Sequence, residues 1–292
     1  MKSKKMILLP VKIRKEEKYK SPMIVKFYTL VFVSAILLVF PLNSRAQNTL
    51  EVGAFGGGSY YLGDINPALH FNQMQLAYGG VARYNIDNRW TIKASFYHGK
   101  VKGDDTKTNA IANRELNFIT RINDISVVAE FSWFEYYTGS KKSFFTPYLF
   151  VGISYFMFKP KTIDGTELQP LGTEGQNVGF DGRKPYALSG FALPFGIGVK
   201  YSINKRIGLA FEWGMRKALT DYIDDVSTTY YLVGETINPN IPEEILSDPT
   251  KSHDPSMQRG DRSKNDWYNY TGITLTYKFN LFDKTRCNTS GY

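Results

Sequence analysis

The chain has one cysteine, Cys287, among 292 residues. A single cysteine closes no intrachain disulfide, and its distance from the N-terminal segment excludes a lipid-anchoring role. Histidine is almost as scarce, with His70, His98 and His253 the three present. A hydrolytic site needs a nucleophile, a base and an orienting acid at one place. No spacing here suggests such a trio, so the chain is not expected to be an enzyme. After residue 46 no apolar run approaches the roughly 20 residues that a spanning helix needs. The mature part also lacks a charge excess. Residues 1–46 hold ten Lys or Arg against Glu16 and Glu17, so of 36 bases and 27 acids, 26 and 25 remain for residues 47–292. The formal +9 therefore belongs to the N-terminal end. It leaves no nucleic-acid footprint in the rest.

That end reads as a leader. Ile24 to Phe40 is apolar apart from Lys26, Thr29 and Ser34, and is followed by Pro41, Ser44-Arg45-Ala46 and Gln47. A charged start, an apolar core and a small-x-small exit predict a secretory signal peptide cleaved after Ala46, with an uncleaved anchor as the alternative. Met23 is the expected translation start. The expected organisation is a leader over 1–46, one β domain over 47–280 and a tail over 281–292.

What the mature part has is alternation. From Phe191 to Tyr201 the odd positions are Phe191, Leu193, Phe195, Ile197, Val199 and Tyr201, against Ala192, Pro194, Gly196, Gly198 and Lys200. Ile207, Leu209, Phe211, Trp213 and Met215 alternate with Gly208, Ala210, Glu212, Gly214 and Arg216. Successive side chains of a strand point to opposite faces. Each of these strands therefore has one bulky apolar face and one small or charged face, the pattern of a barrel whose outside meets lipid. The same parity predicts that Gly198→Arg, in the lumen, is tolerated better than Val199→Arg, on the lipid face.

Six more strands follow the pattern, beginning near Leu50, Leu76, Trp90, Ile125, Pro147 and Trp267. The one from Pro147 to Phe158 is apolar on both faces and is oriented only by elimination. Tyr84-x-Ile86-Asp87-Asn88-Arg89-Trp90 and Tyr201-x-Ile203-Asn204-Lys205-Arg206-Ile207 are two versions of one tight turn, with Asn88 suited to a positive φ. Thr138 to Lys142 is a third short turn. Longer segments at about 60–74, 102–123, 159–189 and 218–266 are expected loops. Trp90, Trp133, Trp213 and Trp267 are assigned to interfacial girdles. The predicted fold is an all-β, eight-stranded antiparallel transmembrane β-barrel with short periplasmic turns and longer extracellular loops.

Eight strands enclose an interior that side chains just fill. Parity places Glu51, Arg83, Lys93, Glu130, Lys200, Glu212, Arg216 and Lys278 inside. These charges read either as a gate or proton path, or as a structural plug of ion pairs. The plug is preferred, because unpaired buried charge is costly. Asp221, Asp224 and Asp225 carry oxygen ligands suited to calcium, but their spacing wraps no ion, and a turn of solvated acids is the simpler expectation. Gly56-Gly57-Gly58 leads to no helix and is not expected to bind phosphate. His98 falls on the lipid side by parity. No catalytic, cofactor or metal residues are assigned.

Several stretches resemble one family. They are Glu51-Val52-Gly53 through Tyr61-Leu62-Gly63-Asp64, Phe145-Thr146-Pro147-Tyr148-Leu149-Phe150, Leu168-Gln169-Pro170-Leu171-Gly172-Thr173-Glu174-Gly175-Gln176, Pro194 through Tyr201, and Thr220-Asp221-Tyr222-Ile223-Asp224-Asp225-Val226-Ser227. Together they are similar to the PorG-like outer-membrane proteins of Bacteroidota. The resemblance implies an outer-membrane location and an accessory role in the type IX secretion machinery, in contact with the periplasmic PorK–PorN ring. It supplies no catalytic residue, cofactor or small-molecule substrate. The alternative is a stand-alone surface barrel that binds a ligand or host molecule through its extracellular loops.

Overall fold

The computed structural model describes residues 49–108 and 111–280. The leader over 1–46 and the tail over 281–292, with Cys287, lie outside them. The strands are β1 (Thr49–Leu62), β2 (Gln75–Asn85), β3 (Trp90–Asp104), β4 (Asn117–Ser132), β5 (Phe145–Lys161), β6 (Ser189–Ser202), β7 (Ile207–Ala218) and β8 (Trp267–Asn280). Each pairs antiparallel with the next, and β8 returns to β1 from Thr49↔Asn280 to Leu62↔Trp267, so the eight-stranded sheet closes. Closure leaves no unpaired edge, which is what lets strands cross lipid. No helix among the described residues is long and apolar enough to cross a membrane.

The burial pattern is the reverse of a soluble barrel's. On β6, Phe191, Leu193, Phe195, Ile197, Val199 and Tyr201 are exposed while the residues between them are buried. Val151 is 62 % and Ile273 51 % exposed on the outer wall, whereas Lys93 and Lys200 inside are 2 % and 3 % exposed. Apolar outside and charged inside is stable only with hydrocarbon around the wall. The protein is an outer-membrane β-barrel.

Glycine makes room for the interior. On β5, Tyr148, Phe150 and Phe156 face inward and Leu149, Val151 and Ile153 outward. Phe150 fits because Gly196 and Gly214 stand opposite it: a Cβ on either would lie 2.7 and 2.8 Å from its ring. Pro194 has no N–H to donate, and there the β5–β6 ladder lapses between Val151↔Phe195 and Ser154↔Ala192, while β7 still pairs at Pro194↔Arg216.

Two short turns are built alike. Ile86 N–H bonds Trp90 O at 2.9 Å, and the Asp87 carboxylate accepts from Arg89 and Trp90 N–H, each at 2.7 Å. Ile203 N–H bonds Ile207 O at 2.9 Å, and Asn204 Oδ1 accepts from Arg206 and Ile207 N–H, each at 2.9 Å. Asn88 does not take a positive φ, because the Asx side chain before it already closes the turn.

Several boundaries differ from expectation. β1 runs straight through Gly56-Gly57-Gly58, and its loop starts at Gly63. The polar stretch expected to be a loop over 102–123 instead extends β3 to Asp104 and starts β4 at Asn117, leaving a connection with one helical turn, Asp105–Thr108. Above the membrane a strand needs no apolar outer face, so the alternation fades while the ladder continues. After β4 the chain from 133 to 144 folds inward instead of making a short turn: Tyr136 and Thr138 are buried, and Thr138 Oγ1 donates to Glu51 Oε1 at 2.6 Å.

Candidate functional site

Two buried polar systems occupy the barrel axis. The lower one is the lumen. Glu130 (β4) accepts on Oε1 from Arg83 Nε of β2 (3.3 Å) and Lys93 Nζ of β3 (3.2 Å), and on Oε2 faces Lys200 Nζ of β6 (2.7 Å). Glu212 (β7) meets Lys93 Nζ at 2.6 Å and accepts from the Tyr97 and Tyr148 hydroxyls at 2.9 and 3.1 Å. Lys93 thus joins the two acids into one network. Low dielectric strengthens each contact, and pairing removes the penalty of isolated charge.

The remaining inward charges sit at the two ends of that network. Toward the periplasm, Glu51 accepts from Asn85, Thr138 and Thr276, while Lys278 donates to Thr138 O and lies 4.0 Å from the Tyr137 ring centre. Toward the outside, Arg216 packs between Tyr97 and Tyr270, at 5.3 and 4.5 Å from their ring centres, with Asp124 at 3.5 Å. Asp124 also accepts from the Tyr268 hydroxyl at 2.7 Å. Sequence alone misses Asp124 because it falls between the stretch assigned to a loop and the strand expected to begin at Ile125. The structure brings Arg83, Lys93, Glu130, Lys200 and Glu212 together, and holds Glu51, Arg216 and Lys278 in separate contacts.

The upper system is a cap built from the segments 63–74, 105–108, 111–116, 162–188 and 219–266. Arg259, 2 % exposed, donates from Nη1 to Glu174 Oε1 (3.1 Å) and Asp225 O (2.7 Å). Glu174 accepts in turn from Ser227 N–H, Thr228 N–H and Thr228 Oγ1 at 2.8, 3.0 and 2.5 Å. Arg114 forms a bidentate pair with Asp105 at 2.6 and 2.7 Å and donates to Arg259 O at 2.8 Å. Thr120 Oγ1 of β4 donates to Ile223 O at 2.6 Å and ties the cap to the wall. Phe118, Ile122, Phe156, Leu168, Ile223 and Val226 belong to one apolar cluster, so the core continues from the lumen into the cap.

Asp221, Asp224 and Asp225 are not solvated acids: all three are buried. Asp225 takes a positive φ of 65° and accepts from Thr173 and Tyr186 hydroxyls, each at 2.5 Å. The Tyr61 hydroxyl lies 2.5 Å from Asp224 Oδ2 and 2.9 Å from Asp266 Oδ1. One phenolic proton serves one of these contacts, so the other needs a proton on the carboxyl. Burial, then the charges nearby, hold the Asp224 and Asp266 carboxyls well above the usual range. Burial and the neighbouring Asp224 push Asp221 up to about 9, and burial pushes Asp225 up to about 6. Among the described residues no three His, Cys, Asp or Glu side chains are grouped to hold a metal ion.

His70, His98 and His253 lie apart. His98 is on the outer wall with Nδ1 2.7 Å from Asn123 Oδ1, His253 stacks on Tyr230 at 4.1 Å, and His70 lies in the segment after β1. Trp90 and Trp133 stand at the turn end of the barrel. Trp213, also on the outer wall, donates from Nε1 to the Tyr60 hydroxyl at 3.0 Å under the 63–74 segment.

Solved outer-membrane barrels are similar in fold. The attachment invasion locus protein Ail of Yersinia pestis, in complex with the heparin analogue sucrose octasulfate, is 10 % identical with a TM-score of 0.40, covering 80 % of this chain and 100 % of that one. Neisserial surface protein A is 10 % identical with a TM-score of 0.40, covering 81 % and 100 %. The N-terminal β-barrel domain of Pseudomonas aeruginosa OprF is 13 % identical with a TM-score of 0.38, covering 80 % and 98 %. No curated protein matches the chain by sequence. A family model described as a domain of unknown function, DUF6089, matches residues 29–231, and the chain belongs to that family.

Proposed function

We propose that the protein is a non-enzymatic, non-conducting outer-membrane barrel that serves as an accessory of the type IX secretion machinery and contacts its periplasmic ring. One observation carries the non-conducting part: Glu130, Glu212 and their bases, with Tyr97, Tyr148 and Phe150, fill the lumen at mid-height. A filled eight-stranded barrel offers a rigid wall and rigid ends, which suit a scaffold better than a channel.

The secretion role rests on the sequence resemblance. Three of the stretches that carry that resemblance, 61–64, 168–176 and 220–227, meet in the cap through Tyr61, Glu174 and Asp224. The test is co-purification from native membranes. Ring proteins retained with the barrel favour this role, and a barrel that purifies without them counts against it. The second reading, a stand-alone barrel binding through its loops, draws on the amount of ordered chain in the cap. Binding of a surface ligand without ring proteins would favour it.

A further inference from the structure

A cavity of about 540 Å³ lies against the outer face of the barrel wall, between it and the loops above. Its floor is Phe195 of β6, Trp213 and Met215 of β7, and Trp267 of β8. All four take outward positions, in line with Ile197, Leu275 and Ile273 of the exposed belt. The floor is therefore continuous with the lipid-facing surface, yet it is roofed. Met215 is 5 % exposed, unlike its belt neighbours.

The roof is the 63–74 segment. It folds back along the wall, with the His70 ring 6.3 Å from Trp213 and the Phe71 ring 5.1 Å from Tyr60. Met74 fills the space that a Cβ on Gly58 would take. Leu69, Phe71 and Met74 remain exposed on its outer side, as apolar as the belt. Beneath the roof, Asn269 and Thr271 take outward positions that lipid would not tolerate, and they are satisfied within the wall: Asn269 Nδ2 donates to Gly214 O at 2.9 Å and Thr271 Oγ1 to Asn269 Oδ1 at 2.5 Å. The upper rim is polar, with Asn265 and the ion pair of Lys264 and Asp261 at 2.9 Å.

The cavity thus has an aromatic floor in line with the lipid-facing belt and a hydrogen-bonding rim. Its volume lies within the range of about 300–1,000 Å³ typical of ligand sites. We propose that it holds one acyl chain of an outer-leaflet amphiphile, whose polar headgroup rests on Asp261, Lys264 and Asn265. Any amphiphile whose chain reaches Trp213 and whose head accepts or donates hydrogen bonds meets these requirements. The proposal depends on the barrel standing in a membrane and not on the secretion role.

The experiment uses the full chain, purified from native membranes in a mild detergent, with folding followed by heat-modifiable mobility. Native mass spectrometry is expected to find one lipid retained per barrel. Dibromostearoyl phosphatidylethanolamine, added as a probe, is expected to displace it and to quench Trp213 and Trp267. Phe195→Ala and Trp267→Ala should weaken probe binding at least tenfold, while Val151→Ala, on the belt outside the cavity, leaves it unchanged. Lys264 is an exposed rim residue, so Lys264→Glu tests the headgroup contact even where a floor variant fails to fold. It is expected to weaken binding severalfold. A native barrel that retains no lipid, or binding that is equal in the Val151, Phe195 and Lys264 variants, would overturn the proposal.

Discussion

The Lys93 ammonium lies 2.6 Å from Glu212 Oε2 and makes its second carboxylate contact to Glu130 at 3.2 Å, with both acids fully buried. Breaking a buried pair by changing one partner costs about 3–5 kcal/mol, because the other charge stays buried. Glu212→Gln keeps one acceptor oxygen for Tyr97 or Tyr148 and leaves Glu130 to Lys93, so about 3 kcal/mol is expected. The urea midpoint of the barrel should fall accordingly, and under the proposed accessory role secretion stays intact wherever the protein still folds. The exposed pair of Lys159 and Glu167 is the control: Glu167→Gln should leave the urea midpoint essentially unchanged. A stable but secretion-dead Glu212→Gln would identify a gate instead of a plug.

The structure reverses the expectation for the neighbouring pair Gly198 and Val199. A Cβ on Gly198 would lie 2.5 Å from Phe211 O and 2.6 Å from the Tyr148 ring, so the lumen has no room there. Val199 faces lipid, but it stands close to Ser202, where β6 ends at the turn side. An arginine on the lipid face costs about 2–4 kcal/mol at the midplane and about 0–1 near an interface. Val199→Arg is therefore expected to yield more folded, heat-modifiable barrel than Gly198→Arg. The opposite ranking would mean that Tyr148 gives way easily.

These two cases show what the sequence carries and where it stops. Inside and outside were legible on β6, because Phe191, Phe195 and Ile197 alternate with Gly196, Gly198 and Lys200, and lipid enforces that contrast. β5 was ambiguous because Phe150 and Leu149 are equally apolar. Their faces are set by Gly196 and Gly214 on other strands, a complementarity no single strand displays. The cap was hidden for a related reason. Asp224 looks like a solvated turn residue until Tyr61, 163 positions away, covers it. Asp124 was lost with the extension of β4, since above the membrane the outer face stops signalling its strand.

The cap should loosen as pH rises. Asp221 goes from the ordinary aspartate range in the unfolded chain up to about 9 in the fold, and Asp225 up to about 6. A carboxyl whose folded pKa is raised contributes stability that is fully present below its unfolded pKa and is lost as pH climbs through the folded one. The window is therefore about pH 4 to 6 for Asp225 and about pH 4 to 9 for Asp221. Proteolysis of the 219–266 segment should accelerate between pH 6 and 9, with the barrel itself intact. Asp221→Asn removes the carboxyl held at about 9 and should flatten that dependence and protect the cap at pH 8. If proteolysis is equally fast at both ends of the window, the buried carboxyls do not control the cap.

Arg259→Met should separate the stability of the cap from that of the barrel. Arg259 reaches Glu174 of the 162–188 segment, the Asp225 carbonyl and, at 3.2 Å, the Ser247 carbonyl. Arg114 donates to the Arg259 carbonyl, so the backbone at this residue also ties the 111–116 segment into the cluster. Arg259→Met keeps much of the stem but leaves Glu174 buried without its base, a loss of about 3–5 kcal/mol. That energy is concentrated in the loops, whereas the strand ladders do not use Arg259. Cap amides over 168–176 and 220–228 should then exchange much faster with deuterium, while the protected strand amides of β6 and β7 keep their rates. Glu174→Gln in the same background should recover part of the loss, because it removes the unpaired charge and retains acceptors for Ser227 and Thr228. Equal loss of protection in cap and strands would show that the two polar systems fold as one unit.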